Sequence, residues 1–267
     1  MDVRGIERSI IKTYRKDIWK KFVEAIVTYQ LVNDGDKIAV CISGGKDSFL
    51  MAKCFQELKR HGKIDFSLHF IVMDPGYSDD ATKKIVENAQ LLDIPIQVFK
   101  TDIFASVKSM NPKSPCYMCA RMRRGHLYSI AKSIGCNKIA LGHHFNDVIE
   151  TNLMGIFYNG RFETMLPKLK SENFEGMELI RPMYFVREIS ILNWMHFNEL
   201  EFIGCACMLK KEDSKRREMK ELIKELRKVN KFVEYNIFKS TENINLNQVM
   251  GYFDKDKKYH YLDDYDK

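Results

Sequence analysis

Apolar and polar positions alternate along this chain in blocks of two kinds. Lys37–Ser43 (KIAVCIS) is a short apolar run that stops at Gly44-Gly45, the pattern of a buried strand. Asp47–Arg60 follows with helical spacing at Phe49, Leu50, Cys54 and Leu58, and Gly62 closes it. Phe66–Asp74 predicts a second strand ended by Pro75-Gly76, Asp79–Leu92 a helix, and Ile96–Phe99 a third strand. Beyond Pro112 and Pro115 the spacing predicts a helix over Arg121–Ile134, a strand over Lys138–His144 and a helix over Asn146–Tyr158. A fifth strand at Glu178–Tyr184 and a helix at Arg187–Leu200 complete the series. Strands alternating with helices at this spacing predict an α/β fold: a doubly wound, mostly parallel five-stranded sheet with helices on both faces.

The two ends break the alternation. Residues 1–34 read as a helical N-terminal extension carrying Arg4, Arg8, Lys12, Arg15, Lys16, Lys20 and Lys21. The alternating core occupies 35–204, a basic helical segment 205–253, and a tyrosine-rich flexible tail 254–267. At 267 residues and 45% apolar composition, the chain is long enough to bury a core without disulfide staples. It has no run of eighteen apolar residues, and Met1–Lys21 mixes both charge signs, so neither a membrane span nor a secretory leader is expected and a cytoplasmic location is. The net charge of +7 is mild, but Lys210–Lys231 holds ten basic residues against five acidic ones. A helix so charged is either a solvated face or a surface for phosphates, with Lys215, Arg216 and Arg217 at its start.

In an open α/β sheet, ligands bind beyond the carboxyl ends of the strands. Three segments dense in polar and glycine residues fall there together: Ser43–Ser48, Asp74–Tyr77 and Gly142–Asp147. The first, SGGKDS, joins a strand to a helix. Gly44 and Gly45 allow close backbone approach, and the helix start offers unpaired N–H groups to an anion. Lys46 adds charge, and Ser43 and Ser48 add hydroxyls. The string does not follow the GxxxxGK[ST] phosphate-loop pattern.

Seven cysteines in a chain of this kind do not form a disulfide framework. Cys41 and Cys54 fall on apolar faces as core thiols, and Cys136 sits in a turn. Cys116 and Cys119 form a CxxC at a helix start beside Arg121, Arg123 and Arg124, and Cys205 and Cys207 follow about ninety residues later. Three soft ligands fit an iron–sulfur cluster with one open iron, or zinc completed by His126 or Cys207. A redox CxxC is the third option. His61, His69, His196 and His260 lack metal spacing.

SGGKDS resembles the pyrophosphatase loop of N-type ATP pyrophosphatases, which split ATP between the α and β phosphates and adenylate a carbonyl oxygen. Cys116–Tyr128 (CYMCARMRRGHLY), Lys138–Thr151 (KIALGHHFNDVIET), Asn152–Leu169 and Ile180–Glu188 (IRPMYFVRE) together resemble the tRNA 2-thiocytidine synthetase family, over about residues 35–230. The resemblance implies ATP held by Ser43, Gly44, Gly45, Lys46, Asp47 and Ser48, with Asp74 reaching the nucleotide and Gly142 and His143 lining its adenosine side. It implies magnesium, and Lys46, Asp47 and Asp147 as the catalytic set. It implies a 4Fe–4S cluster on Cys116, Cys119 and Cys205, with Cys207 spare, and RNA contacts from Arg123, Arg124, Lys215, Arg216 and Arg217. The implied reaction adenylates the C2 oxygen of an anticodon-loop cytidine and replaces it with sulfur. The implied partners are tRNA, a cysteine desulfurase or other sulfide donor, and a second copy in a homodimer, for which the amphipathic N-terminal helix is a candidate contact. The competing reading is a pyrophosphatase-loop enzyme that adenylates another carbonyl and holds zinc on its cysteines. In one departure, Asn146 stands where the family usually has a second acid.

Overall fold

The computed structural model describes residues 2–110, 112, 115–204 and 214–265. In chain order the elements are α1 (Val3–Arg8), α2 (Lys20–Thr28), β1 (Lys37–Cys41), α3 (Lys46–His61), β2 (Ser67–Asp74), α4 (Asp79–Leu91), β3 (Ile96–Lys100) and α5 (Ile103–Met110). Then follow α6 (Pro115–Ser133), β4 (Lys138–Ala140), α7 (Phe145–Asn159), β5 (Lys168–Lys170), β6 (Glu178–Ile180), α8 (Glu188–Phe197), α9 (Ser214–Val229), α10 (Val233–Ser240), β7 (Gly251–Asp254) and β8 (Lys257–His260). Backbone contacts divide the chain into two units. The first is residues 1–148 with 165–215, and the second is 149–164 with 216–267.

The first unit holds a six-stranded sheet in the order β3-β2-β1-β4-β6-β5. Five strands run parallel, and β5 pairs antiparallel with β6 through Leu169 opposite Leu179. The α/β, mostly parallel architecture expected above is present, with six strands rather than five. Lys168-Leu169-Lys170 escapes a search for apolar runs because an edge strand three residues long needs none. Ala39, Cys41, Ile71, Ile139 and Leu179 are buried against Tyr128 and Ala131 of α6. The alternate residues Ile38, Val40 and Val72 are buried on the opposite face, as the two-residue period of a strand requires. Burial pushes the Cys41 and Cys54 thiols far up and that of Cys136 to about 11, so all three are inert core groups.

The N-terminal segment is helical, but two of its turns, Ser9–Thr13 and Arg15–Trp19, are π-helix. The sequence requires this. Ile6, Ile10, Tyr14, Ile18, Phe22 and Ile26 recur every fourth residue. In an α-helix each four-residue step turns about 40° past a full turn, so such a stripe would wind around the helix. Wider π turns, with their i→i+5 bonds, bring the average close to four residues per turn and hold the stripe straight. That face closes inside the chain. Phe22 meets Phe55 of α3 edge-on at 5.3 Å, Tyr14 Oη donates to the Asn193 carbonyl (2.9 Å), and Trp194 Nε1 donates to Ser9 Oγ (3.1 Å). The apolar face offered above as a dimer contact is therefore already covered. Glu7 accepts from the fully buried Lys53 at 2.7 Å and pairs with Arg60 at 2.9 Å. Burial alone would raise the Glu7 carboxyl, but these two cations hold it below its ordinary value.

The second unit contains the later part of α7, together with α9, α10 and the β7–β8 hairpin. Where the sequence predicts a flexible tail from Asp254, a hairpin closes at Lys255 (φ 55°), and Tyr252 stacks on Tyr259 across it at 4.7 Å. That cross-strand aromatic pair is the stabilisation the compositional reading overlooked.

At the amino end of the sheet, Lys138 is buried with its ammonium 2.6 Å from Asp36 and 3.0 Å from the Leu31 carbonyl. Burial raises the Asp36 carboxyl, but Lys138, Asn137 and the Asn33 N–H outweigh it and hold the group below its ordinary 3.8. A carboxyl depressed in the fold stabilises it above the unfolded value, and that contribution is lost as pH falls through the folded one. Two outcomes follow. Lys138→Ala, which strands Asp36, costs about 3–5 kcal/mol in urea unfolding at neutral pH. Asp36→Asn loses part of the stability decline that the parent shows below about pH 4.

Candidate functional site

The sheet order reverses between β1 and β4, so the helices after those strands leave in different directions and a crevice opens at their carboxyl ends. β1 runs out through Ile42 into the SGGKDS loop. Ser48 Oγ donates to the Gly45 carbonyl (2.9 Å) and accepts from the Ser43 N–H (3.1 Å), which folds the loop over the start of α3. Gly44 has φ +90°, and a Cβ there would lie 2.5 Å from Ile203 Cδ1 and 2.8 Å from Ile85. Only glycine fits the position. No side chain caps α3, so its first N–H groups stay open to an anion. Gly142, at the end of β4, lies against the Asp47–Ser48 peptide, where a Cβ would come within 3.2 Å.

Two clefts flank the loop. The first, about 370 Å³, is lined by Ser43, Asp47, Ser48, Arg123, Arg124, Gly142, His143 and Asp147, with Met73, Leu127 and Leu141 as an apolar wall. The second, about 510 Å³, is lined by Gly45, Lys46, Tyr77, Glu188, Leu192, Met195, Phe202, Ile203 and Gly204. Ser43, Asp47 and Arg123 belong to both. The structure thus gathers most of the residues singled out from the sequence at one edge of the sheet.

Asp74 is an exception. Its carboxylate accepts from the N–H groups of Gly76 (2.9 Å) and Tyr77 (2.6 Å) and from Thr82 Oγ1 (3.2 Å), so it shapes its own turn and lines neither cleft. Lys46 lies 3.2 Å from Asp47 and 3.6 Å from Glu188. Asp147 and His144 cap α7 reciprocally: the carboxylate accepts from the His144 N–H (2.9 Å), and His144 Nδ1 accepts from the Asp147 N–H (3.4 Å). Asn146 Oδ1 accepts from the Glu188 N–H at the start of α8 (3.0 Å). An amide oxygen suffices for that bond, which gives the departure from a second acid a structural role.

Arg181 carried no sign of function beyond its place within the predicted strand Glu178–Tyr184. It is 4% exposed. Its Nε donates to His143 Nδ1 (3.2 Å), and Nη1 donates to the Leu166 carbonyl. Burial, and then the nearby Arg124 charge, pushes its guanidinium down from 12.5 to about 10. Because an N–H points at Nδ1, that nitrogen carries a lone pair, and the neutral His143 ring keeps its proton on Nε2.

Cys119 is buried among Met73, Ile103, Phe104 and Val107, one turn before Arg123 on α6. Cys116 falls in the first turn of the same helix, which starts six residues earlier than the sequence predicts. Cys205 and Cys207 lie outside the described residues. No group of three or more His, Cys, Asp or Glu side chains gathers as a metal site among the described residues. Arg216 of α9 points at Glu150 (3.6 Å) and Thr151 (3.5 Å) of α7, while Lys215 and Arg217 are exposed.

A glycine loop at the switch point of a parallel sheet, opening onto an uncapped helix start, defines a PP-loop protein, and residues 14–225 match the PP-loop domain family. A tRNA-cytidine(32) 2-sulfurtransferase of Coxiella burnetii (strain RSA 331 / Henzerling II) is 33% identical over 257 residues, covering 94% of this chain and 96% of the relative. Another, from Paraburkholderia xenovorans (strain LB400), is 35% identical over 218 residues, 80% of this chain and 64% of its own. The chain belongs to the tRNA-cytidine(32) 2-sulfurtransferase family. Among solved structures, the U34-tRNA thiolase NcsA from Methanococcus maripaludis, with its 4Fe-4S cluster, superimposes with a TM-score of 0.68 at 21% identity, over 84% of this chain and 76% of that one. It shares the fold.

Two substitutions probe this geometry. Gly44→Ala weakens ATP binding at least tenfold in calorimetry, about 1.4 kcal/mol, because the loop cannot keep its left-handed turn. Arg181→Met, similar in size and free of the buried charge, leaves the melting temperature nearly unchanged but raises KM for ATP by releasing His143.

Proposed function

We propose that this chain is an ATP-dependent tRNA-cytidine 2-sulfurtransferase that adenylates the C2 oxygen of a cytidine in the anticodon loop and exchanges it for sulfur. The observation that carries the reading is the meeting of the two clefts at Ser43, Asp47 and Arg123 in a chain that matches these sulfurtransferases over nearly its whole length. A nucleotide in the first cleft and a base in the second would face each other across those three residues.

The residues divide the work by chemistry. Gly44, Gly45, Ser43, Ser48 and the open N–H groups of α3 receive the pyrophosphate end of ATP. The apolar wall of Met73, Leu127 and Leu141, with Gly142 and His143, takes the adenosine. Asp47 and Asp147 both line that cleft. One or two carboxylates beside a triphosphate are what magnesium needs, since it keeps most of its waters. Lys46 and Arg123 carry positive charge towards the phosphates as the C2 oxygen attacks the α-phosphorus and pyrophosphate departs. Adenylation turns a poor leaving oxygen into AMP, which leaves when a sulfur nucleophile adds at C2. Arg124 and the basic residues Lys215, Arg216 and Arg217 contribute RNA contacts.

Cys116, Cys119 and Cys205 are the proposed holders of a 4Fe–4S cluster. Gly204, which precedes Cys205 in the sequence, lines the second cleft together with Arg123, one helical turn from Cys119. Bound by three thiolates, such a cluster offers an iron without a protein ligand, able to carry inorganic sulfur. A cysteine desulfurase or other sulfide source would supply it.

The test is anaerobic purification with iron and sulfide analysis of the parent and of Cys116→Ala, Cys205→Ala and Cys207→Ala, followed by thiolation of a tRNA transcript read as 2-thiocytidine by mass spectrometry. The expected result is about four irons per chain, lost with Cys116 or Cys205 and kept with Cys207, and 2-thiocytidine formed with AMP. Zinc in place of iron, or AMP formed with no thiolated cytidine, overturns the proposal.

A further inference from the structure

The fourfold spacing that straightens the apolar face of the N-terminal helix straightens a second line. Arg4, Arg8, Lys12, Lys16 and Lys20 also recur every fourth residue, displaced by two from the apolar series. At four residues per turn two residues are half a turn, so the cations form a stripe on the side away from the core. In an uninterrupted α-helix the same five positions would rotate by about 160° from first to last, carrying the stripe round towards the buried side. All five are exposed, as is Arg15 beside them, and none forms an ion pair among the described residues. Of the acids on this segment, Glu7 turns inward to Lys53 and Arg60, Asp2 accepts from the Gly5 N–H, and Asp17 is exposed beside Lys16. From Arg4 to Lys20 the stripe spans up to about 24 Å.

We propose that this stripe is a docking surface for the phosphate backbone of the tRNA substrate, an inference that rests on the function proposed above. Charge complementarity favours a polyphosphate, and burial separates RNA from a lipid surface. A basic amphipathic helix binds membranes by inserting its apolar face, and here Ile6, Ile10, Ile18, Phe22 and Ile26 are packed inside the chain. The helix is also fixed to the elements that form the site. Through Phe55 and Lys53 it is joined to α3, which begins at the SGGKDS loop, and through Asn193 and Trp194 to α8, which begins at Glu188. A backbone held on the stripe is thereby held in a fixed register to the clefts.

The test compares the parent with Arg8→Gln/Lys12→Gln/Lys16→Gln in the full chain, measuring the Kd for a tRNA transcript between about 50 and 200 mM salt. ATP affinity and melting temperature are read alongside, since these side chains touch neither the site nor the core. The expected result is binding weakened at least tenfold in the triple variant, a salt slope flattened by about two to three, and unchanged ATP affinity. Arg8→Lys, which keeps the charge, retains parent binding. Equal affinity and slope in parent and triple variant, with the parent still binding and thiolating tRNA, overturns the stripe and leaves the function standing. A parent that neither binds nor thiolates tRNA overturns the function itself. Binding of the parent, and not of the variant, to phosphatidylserine vesicles in place of tRNA assigns the stripe to lipid and overturns the proposal.

Discussion

The reversal of strand order between β1 and β4 is the constraint on which the rest of the site depends. Two parallel neighbours whose following helices diverge cannot close the gap at their carboxyl ends, so that gap is available to a ligand in any sequence that adopts the topology. This chain brings the edges of the gap unusually close. Gly142 allows the β4 turn to lie against the first peptides of α3, and Gly44 allows the preceding loop to pass beneath Ile203 and Ile85. Side chains at either position would push the two turns apart. The polar groups that remain are thus held by backbone packing rather than by long flexible side chains, as a site that must recognise phosphates at fixed positions requires.

The two edges of the sheet treat charge differently. At the amino edge, Lys138 and Asp36 are buried and satisfied by each other, Leu31 and Asn137. At the carboxyl edge, the cations Lys46, Arg123 and Arg124 face open clefts. Several bonds there serve local structure and site at once. The Asp147–His144 pair caps α7 while presenting Asp147 to the first cleft, and Asn146 anchors α8, whose first residue meets Lys46.

Most of the parallel sheet and the phosphate loop were legible in the sequence, because strands buried on both faces read as continuous apolar runs and the loop announces itself by two glycines. β5 was not, since three residues at an edge carry no run. The β7–β8 hairpin was hidden by its charged composition. The fourfold period of the N-terminal segment was present in the letters, but a search at 3.6 residues sees only a generally amphipathic helix. Arg181 was missed because its meaning lies in a contact with His143, 38 residues away along the chain. The placement of Asp74 could not be read either, as a carboxylate at a strand end can serve a ligand or its own turn equally well.

The π turns of the N-terminal segment carry a consequence for sequence change. Each holds one residue more than an α-helical turn would, so removing a single residue from Ser9–Thr13 lets the backbone relax into regular helix without breaking it. The stretch from Ile6 to Tyr14 would shrink from two wide turns to seven α-helical steps of about 100° each, so everything before the deletion would turn by only about 20° about the axis. Ile6 would keep facing the core, and Glu7 would stay on the side of Lys53 and Arg60. The segment can therefore lose a residue at a π turn without losing its buried face, so single-residue gaps between homologous chains should fall there.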